Sequence, residues 1–492
     1  MWASSLVCLM FLPYLVMAVV YLRLIFHYLF ARNEVTYPEG TAVYSCLMAF
    51  RTGKLYSPPF QFPFNVEIFG PIYYWAGSVL ARIAHGDALT TLILCRLLSF
   101  GSYLGSAACV GLICLHLEKK KRWAWVAVVL GLACLWAVRW AGSARPDMLA
   151  AFFILLALLI YLRAEGNAWV VSVAALVASL SWLTKQTTGP VLVALAIDCL
   201  IGRRWKQVAA LVLGSIPVPA VILAVLWIRK EPFLANFLAS RNVVTSWSGP
   251  LEGLVYALRV NSVALIPGCV ALLGAILVWR RANYRPILLV VLIGGAANLA
   301  AMTNVGANGN YLILPWLLIL LLVPAGLERI ERWTLRRAWI PVAFLLAGIL
   351  LLFHRSFLLF QVFPADLDTS QVSKLTMLSD QSYLEMQSRE PQLLDPYTYG
   401  EFSQRKVWDE APILQRIDRE YYDLILMRAD PDFDRWAWDE AKRAEMAAHY
   451  VAVCEVQGEI GLVPRSRPVG VEPKDLARIF HEPCAAVAQA RN

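Results

Sequence analysis

Apolar runs long enough to cross a bilayer recur along the whole 492-residue chain, and this repetition limits its fold more than any other feature. The runs lie near 5–30, 92–117, 123–141, 147–162, 168–184, 189–201, 207–228, 259–279, 286–303, 311–327 and 338–360. A hydrocarbon core needs roughly 20 apolar residues per helix, so the pattern predicts about eleven membrane-spanning helices, the run 189–201 being the shortest. The stretch 71–85, "PIYYWAGSVLARIAH", reads as a helix lying beside the membrane. Composition agrees: 59% of residues are hydrophobic and 16% charged, more apolar surface than a soluble core can take up. The first run has no basic segment before it and no small-residue cleavage site, so it reads as a retained helix.

The net charge of +9 is not a uniform basic surface, which argues against nucleic-acid binding. Lys and Arg fall in "EKKKR" 118–122, "LRAEGN" 162–167, "GRRWK" 202–206, "WRRANYR" 279–285 and "ERIERWTLRR" 328–337, that is, at every second connection. The positive-inside rule then puts these five in the cytoplasm together with the N-terminus, and one orientation satisfies them all. The alternate connections face outward: 31–91, 139–147, 184–189, 229–258, 304–310 and the tail after about 361. Every distinctive polar motif lies in this second set. Helix caps scattered by chance would have divided between the two sides.

The first outer loop, 31–91, is dense in Tyr, Phe and Pro, which argues against disorder, and it carries Glu34, Glu39 and Glu67. A carboxylate here could take a proton from a hydroxyl nucleophile; the plainer alternative is a solvated or capping Glu. "ARPDML" places Arg145 and Asp147 at a helix start, where Pro146 and Asp147 also suit a simple N-terminal cap. "TKQTTG" puts Lys185 and Gln186 at an outer helix end, where a Lys can snorkel or hold an anionic phosphate. "GANGNY" sets Gly306, Asn308, Gly309, Asn310 and Tyr311 before an apolar run, and its two Asn can hydrogen-bond a sugar or phosphate. Arg241 is the candidate phosphate contact of the 229–258 loop, with an ordinary surface Arg as the alternative. The tail after 361 has soluble composition, with strands expected at 421–427 and 450–456 and a helix between them. Of ten cysteines, only Cys454 and Cys484 lie in that tail, and they are expected to pair or lie close together.

In order, "PEG", "LY.PP" from Leu55, "GPIYYW", "RPD", "TKQT" and "NY", followed by "LSDQSYLEMQSREPQLLDPYTYGEF", resemble the GT-C class of membrane glycosyltransferases over essentially the whole chain. The series is similar to family 39-like or ArnT-like proteins. The resemblance implies a mainly α fold, with a transmembrane catalytic domain over 1–360 and a small extracytoplasmic α/β domain over 361–492. It implies a multi-pass cell-membrane enzyme that moves a sugar from a polyprenyl phosphate to a glycan, lipid or protein hydroxyl on the extracytoplasmic face, with inversion. On this reading Glu39 is the base, with Glu34 as its rival. Arg145 and Lys185 stabilise the departing phosphate, Asp147 is the second catalytic carboxylate and with Asn310 and Tyr311 positions the sugar and the cations, and Gln186 binds substrate. Glu67 and Tyr73 shape the acceptor groove, and Arg241 assists with phosphate. No cofactor or metal ligand set is assigned, and a divalent cation is left open. The chain departs from the family in having no Asp between Arg32 and Gly86, which bears on the base. Two other classes stay in view: a lipid or polysaccharide flippase, and an inert assembly subunit that keeps the fold.

Overall fold

The computed structural model describes residues 2–241, 245–260, 262–304, 309–359, 367–428, 437–456, 458–466, 471–482 and 485. Among the described residues, five helical stretches are long and apolar enough to span a bilayer: Ala3–Phe30, Ala88–Glu118, Trp205–Ile228, Ala282–Ala301 and Gly309–Thr334. Lys121–Leu132 and Leu135–Ala141 form a sixth stretch, bent by 64°. Five shorter apolar helices accompany them: Asp147–Leu162, Ala168–Trp182, Gln186–Ile201, Leu265–Val278 and Trp339–Leu350. Burial differs sharply among the spans. The most apolar window of Gly309–Thr334 is 83% buried, whereas that of Trp205–Ile228 is 17% buried. The first is the spine of the bundle. The second leaves Val212, Leu213, Val221 and Trp227 outside the protein, an arrangement stable only where lipid replaces water. The protein is a multi-pass membrane protein.

The five basic connections gather at one end of this bundle. There Lys120 pairs with Glu328 at 2.7 Å, Arg122 with Glu331 at 2.7 Å, and Arg281 with Glu118 at 3.6 Å. At the other end the first loop folds back as the helices Glu39–Thr52 and Pro71–Ile83, joined by an irregular segment. Two glycines let it dock. A Cβ on Gly40, from "PEG", would collide with the backbone of Ser382 and Tyr383, and one on Gly70, from "GPIYYW", with the carbonyl of Leu183. Gly70 N and Ile72 N donate to the carbonyls of Thr184 and Leu183 at 3.1 and 3.2 Å.

The tail forms a four-stranded sheet in the order β1-β2-β4-β3, with β1 Met377–Ser379, β2 Leu424–Arg428, β3 Tyr450–Val456 and β4 Glu459–Pro464. β1 and β2 are parallel and the other pairs antiparallel. The strands expected at 421–427 and 450–456 are β2 and β3, and the helix Glu440–His449 lies between them. The tail meets the first loop at Phe64, which bridges Leu393, and at Tyr37, whose hydroxyl donates to Asp395 at 2.7 Å. Cys454 is disulfide-bonded. Cys484, its expected partner, lies outside the described residues, as do Gly306 and Asn308 of "GANGNY".

Candidate active site

Three connections far apart in sequence meet where the first loop covers the bundle. Asp147 opens the helix Asp147–Leu162, and Pro146 occupies the N-cap position without a side-chain cap bond. The Asp147 carboxylate is not spent on capping. Its Oδ1 is ion-paired with Lys185 Nζ and accepts from Asn310 Nδ2 at 2.9 Å, while Arg145 Nε stands 4.0 Å from Oδ2. Lys185 precedes the short turn Gln186–Thr188, and Asn310 sits in the turn Gly309–Leu312. The Lys185 ammonium lies 4.3 Å above the Tyr311 ring. Arg145 is held between Phe69, at 4.9 Å, and Trp140, at 5.3 Å. A guanidinium and an ammonium thus share one carboxylate in a largely buried, aromatic-walled pocket, leaving one net positive charge.

Three polar atoms of this cluster are buried without a hydrogen bond, Arg145 Nε, Asp147 Oδ2 and Asn310 Oδ1, the first two facing each other as an ion pair at 4.0 Å. Folded chains hydrogen-bond nearly all such groups, so three in one place mark a position that a polar ligand can complete.

The remaining candidates divide. Glu39 is fully buried and lies in the wall beside the cluster. Its two oxygens accept from Arg96 Nε and Nη2, both at 2.8 Å, from Val35 N at 2.9 Å and from Ala144 N. Four donors fill the carboxylate, so it anchors Ala144, next to Arg145, rather than standing open to accept a proton. Arg96, in the third turn of the Ala88–Glu118 helix, was missed by the sequence reading, although an ionisable residue within an apolar span was the available signal. Glu34 accepts from Tyr383 N at 2.5 Å, from Gly40 N at 3.3 Å and from the Ser382 hydroxyl, tying the loop to the tail; burial pushes its carboxyl up to about 7. Glu67 accepts from Ser57 Oγ at 2.7 Å and Asn65 Nδ2 at 3.1 Å, and burial likewise lifts it to about 7. Gln186 is half-buried and donates to Ile68 O at 3.4 Å, holding the loop rather than entering the cluster. Tyr73 is fully buried, 5.9 Å from both Phe69 and Tyr74 ring to ring. Arg241 is exposed over the Phe237 ring at 4.6 Å, and no contact joins it to the cluster among the described residues. Its neighbour Asn236, also missed, accepts from Glu67 N at 2.9 Å and donates to Ser57 O at 2.8 Å.

Among the described residues, one group has metal-ligand spacing, Asp418, Glu445 and His449. It belongs to the tail, at least partly exposed, where His449 Nε2 is 3.3 Å from Asp418 and 3.6 Å from Glu445.

No family profile matches the sequence, and no curated protein matches it. Solved structures do. ArnT from Cupriavidus metallidurans bound to undecaprenyl phosphate superposes with a TM-score of 0.58 at 14% identity, covering 93% of this chain and 99% of that one. The archaeal oligosaccharyltransferase AglB from Archaeoglobus fulgidus, in complex with an inhibitory peptide and a dolichol-phosphate, gives 0.54 at 13% identity over 93% of this chain and 75% of that one. The Archaeoglobus fulgidus oligosaccharyltransferase in complex with zinc and sulfate gives 0.50 at 12% identity over 92% and 73%. The chain has the fold that ArnT and AglB share, over nearly its full length, as the motif resemblance implies.

Proposed function

We propose that the protein is a glycosyltransferase that moves a sugar from a polyprenyl-phosphate carrier to an acceptor hydroxyl on the extracytoplasmic side, with inversion. One observation carries this reading: Arg145, Asp147, Lys185, Asn310 and Tyr311 converge from three connections into a cluster with surplus positive charge and buried polar atoms that lack hydrogen bonds. It is supported by a fold shared with proteins whose structures hold lipid phosphates.

The acceptor oxygen attacks the anomeric carbon of the donor as the bond from that carbon to the phosphate oxygen breaks. The leaving group, a polyprenyl phosphate, gains negative charge, and the Lys185 ammonium and Arg145 guanidinium stabilise it in a low-dielectric site. The acceptor proton passes to Asp147 Oδ2, the cluster's carboxylate oxygen without a hydrogen bond. Glu39 holds the Ala144–Arg145 backbone, and Asn310 and Tyr311 orient Asp147 and Lys185.

Asp147→Asn separates binding from chemistry. It removes a negative charge beside the donor site, so undecaprenyl phosphate, used as probe, should bind at least as tightly as to wild type. Turnover with a lipid-phosphate sugar should fall by roughly 10²-fold or more. Lys185→Ala should instead weaken undecaprenyl phosphate binding by about 10- to 100-fold, the scale of one lost charge-assisted hydrogen bond. Full turnover by Asp147→Asn, or unchanged probe binding by Lys185→Ala, would overturn the assignment.

A further inference from the structure

A second polar site lies at the opposite end of the bundle. Along the Asp147–Leu162 helix, Tyr161 is about 21 Å from Asp147 at the usual rise per residue. There a cavity of about 430 Å³ opens among Tyr161, Asp198, Arg204, Gln207, Arg285 and His116. Asp198 is 1% exposed. It accepts from the Tyr161 hydroxyl at 2.6 Å and from Arg285 Nε at 2.5 Å, and it is ion-paired with Arg204. Arg204 also donates to the Tyr161 hydroxyl at 3.0 Å, and its Nε is buried without a hydrogen-bond partner. One buried carboxylate therefore serves two guanidiniums. Glu165 adds a negative charge to the lining, and the exposed Arg163, Arg203 and Lys206 on the same two connections outnumber it.

The surroundings place the cavity mouth at headgroup depth. Trp169, Trp205 and Trp279 stand 77%, 67% and 66% exposed on connections at this end, as tryptophans do at a membrane interface. Beside Asp198 and Arg204, Leu200 and Ile201 are exposed on the protein surface. The volume admits a phosphate with its polar substituent and leaves acyl chains to lie outside along those apolar side chains.

We propose that this cavity binds the phosphate headgroup of an anionic membrane lipid, from the leaflet opposite the Asp147 cluster. Surplus guanidinium charge between helix ends suits a phosphodiester, whose oxygens can take the Arg donors that Asp198 leaves free. The site shares no residue with the cluster at Asp147 and does not depend on the transferase reading.

The test uses the detergent-purified full chain with equal amounts of phosphatidylglycerol and phosphatidylcholine of identical acyl chains, the retained lipid being counted by native mass spectrometry. Wild type should prefer phosphatidylglycerol. Arg204→Gln and Arg285→Gln should each lower that preference about tenfold, as expected for one lost charged contact. Asp198→Asn adds a net positive charge at the cavity and should raise it, an outcome that mere damage to the fold would not produce. Arg336→Gln, at the same end but outside the cavity, should leave it unchanged. Equal preference in wild type and Arg204→Gln, an equal drop in Arg336→Gln, or a drop in Asp198→Asn would overturn the proposal. So would retention of inorganic phosphate that displaces the lipid at millimolar concentration, which would make free phosphate the ligand.

Discussion

Replacing Glu39 by Gln tests whether this residue is a structural anchor. The wild-type carboxylate receives two guanidinium N–H groups of Arg96 and the backbone N–H groups of Val35 and Ala144, with both side chains fully buried. A Gln keeps the shape but turns one acceptor oxygen into a donor, which must face two of those four donors. It also leaves the Arg96 charge without its counter-ion, although Arg96 still donates to Tyr28 O at 3.0 Å and Asn33 O at 2.6 Å. Breaking one side of a buried ion pair costs about 3–5 kcal/mol. At roughly 2 °C per kcal/mol, thermal unfolding in detergent should come about 6–10 °C lower. The Arg96→Gln variant should be comparably destabilised. The double variant should cost less than the sum of the two, by about 0.5–3 kcal/mol, because the second change removes a charge already stranded by the first. A Glu39→Gln protein unfolding within about 1 °C of wild type would refute the anchoring role, as would strictly additive losses. Turnover that vanished without loss of stability would return Glu39 to the role of base.

Two further outcomes are expected. Burial raises Glu34 from 4.5 to about 7, so the folded state keeps a proton that the unfolded chain loses above about pH 4.5; stability then falls as pH rises from about 4.5 to about 7 and levels off beyond, by about 3 kcal/mol for this group. Glu34→Gln should flatten that part of the thermal-unfolding profile and raise the melting temperature at pH 8 while sparing turnover, and an unchanged profile would exclude a proton held at Glu34. For topology, a reporter that works only outside the cytoplasm, fused after residue 367, should be active, and activity of a cytoplasm-only reporter at the same position would reverse the orientation of both ends of the bundle.

Much of this architecture was legible in one dimension because a bilayer imposes a one-dimensional rule. Helix length is fixed by membrane thickness, and basic residues mark alternate connections, so parity alone grouped Arg145, Lys185 and Asn310 at one end and the "GRRWK" and "WRRANYR" clusters at the other. The strands at 421–427 and 450–456 were visible as short β-branched and aromatic runs, whereas β1, only three residues long, gave too little pattern to read. Parity assigns a side but not a neighbour. Whether Asp147 caps its own helix or pairs with Lys185 depends on how the connections fold over one another, and the distance that decides it spans 38 residues of sequence. The same holds for Glu39. Its place in the "PEG" motif suggested a base, and only packing brought Arg96, 57 residues away, onto both of its oxygens. Asp198 lies near the end of its apolar helix, and the two arginines that make its surroundings positive come from different connections. The sequence by itself determined which residues share a membrane face, because lipid sorts apolar from charged segments locally. Tertiary structure alone decided which buried charges cancel and which stay unpaired, because that depends on contacts between segments that no local preference encodes.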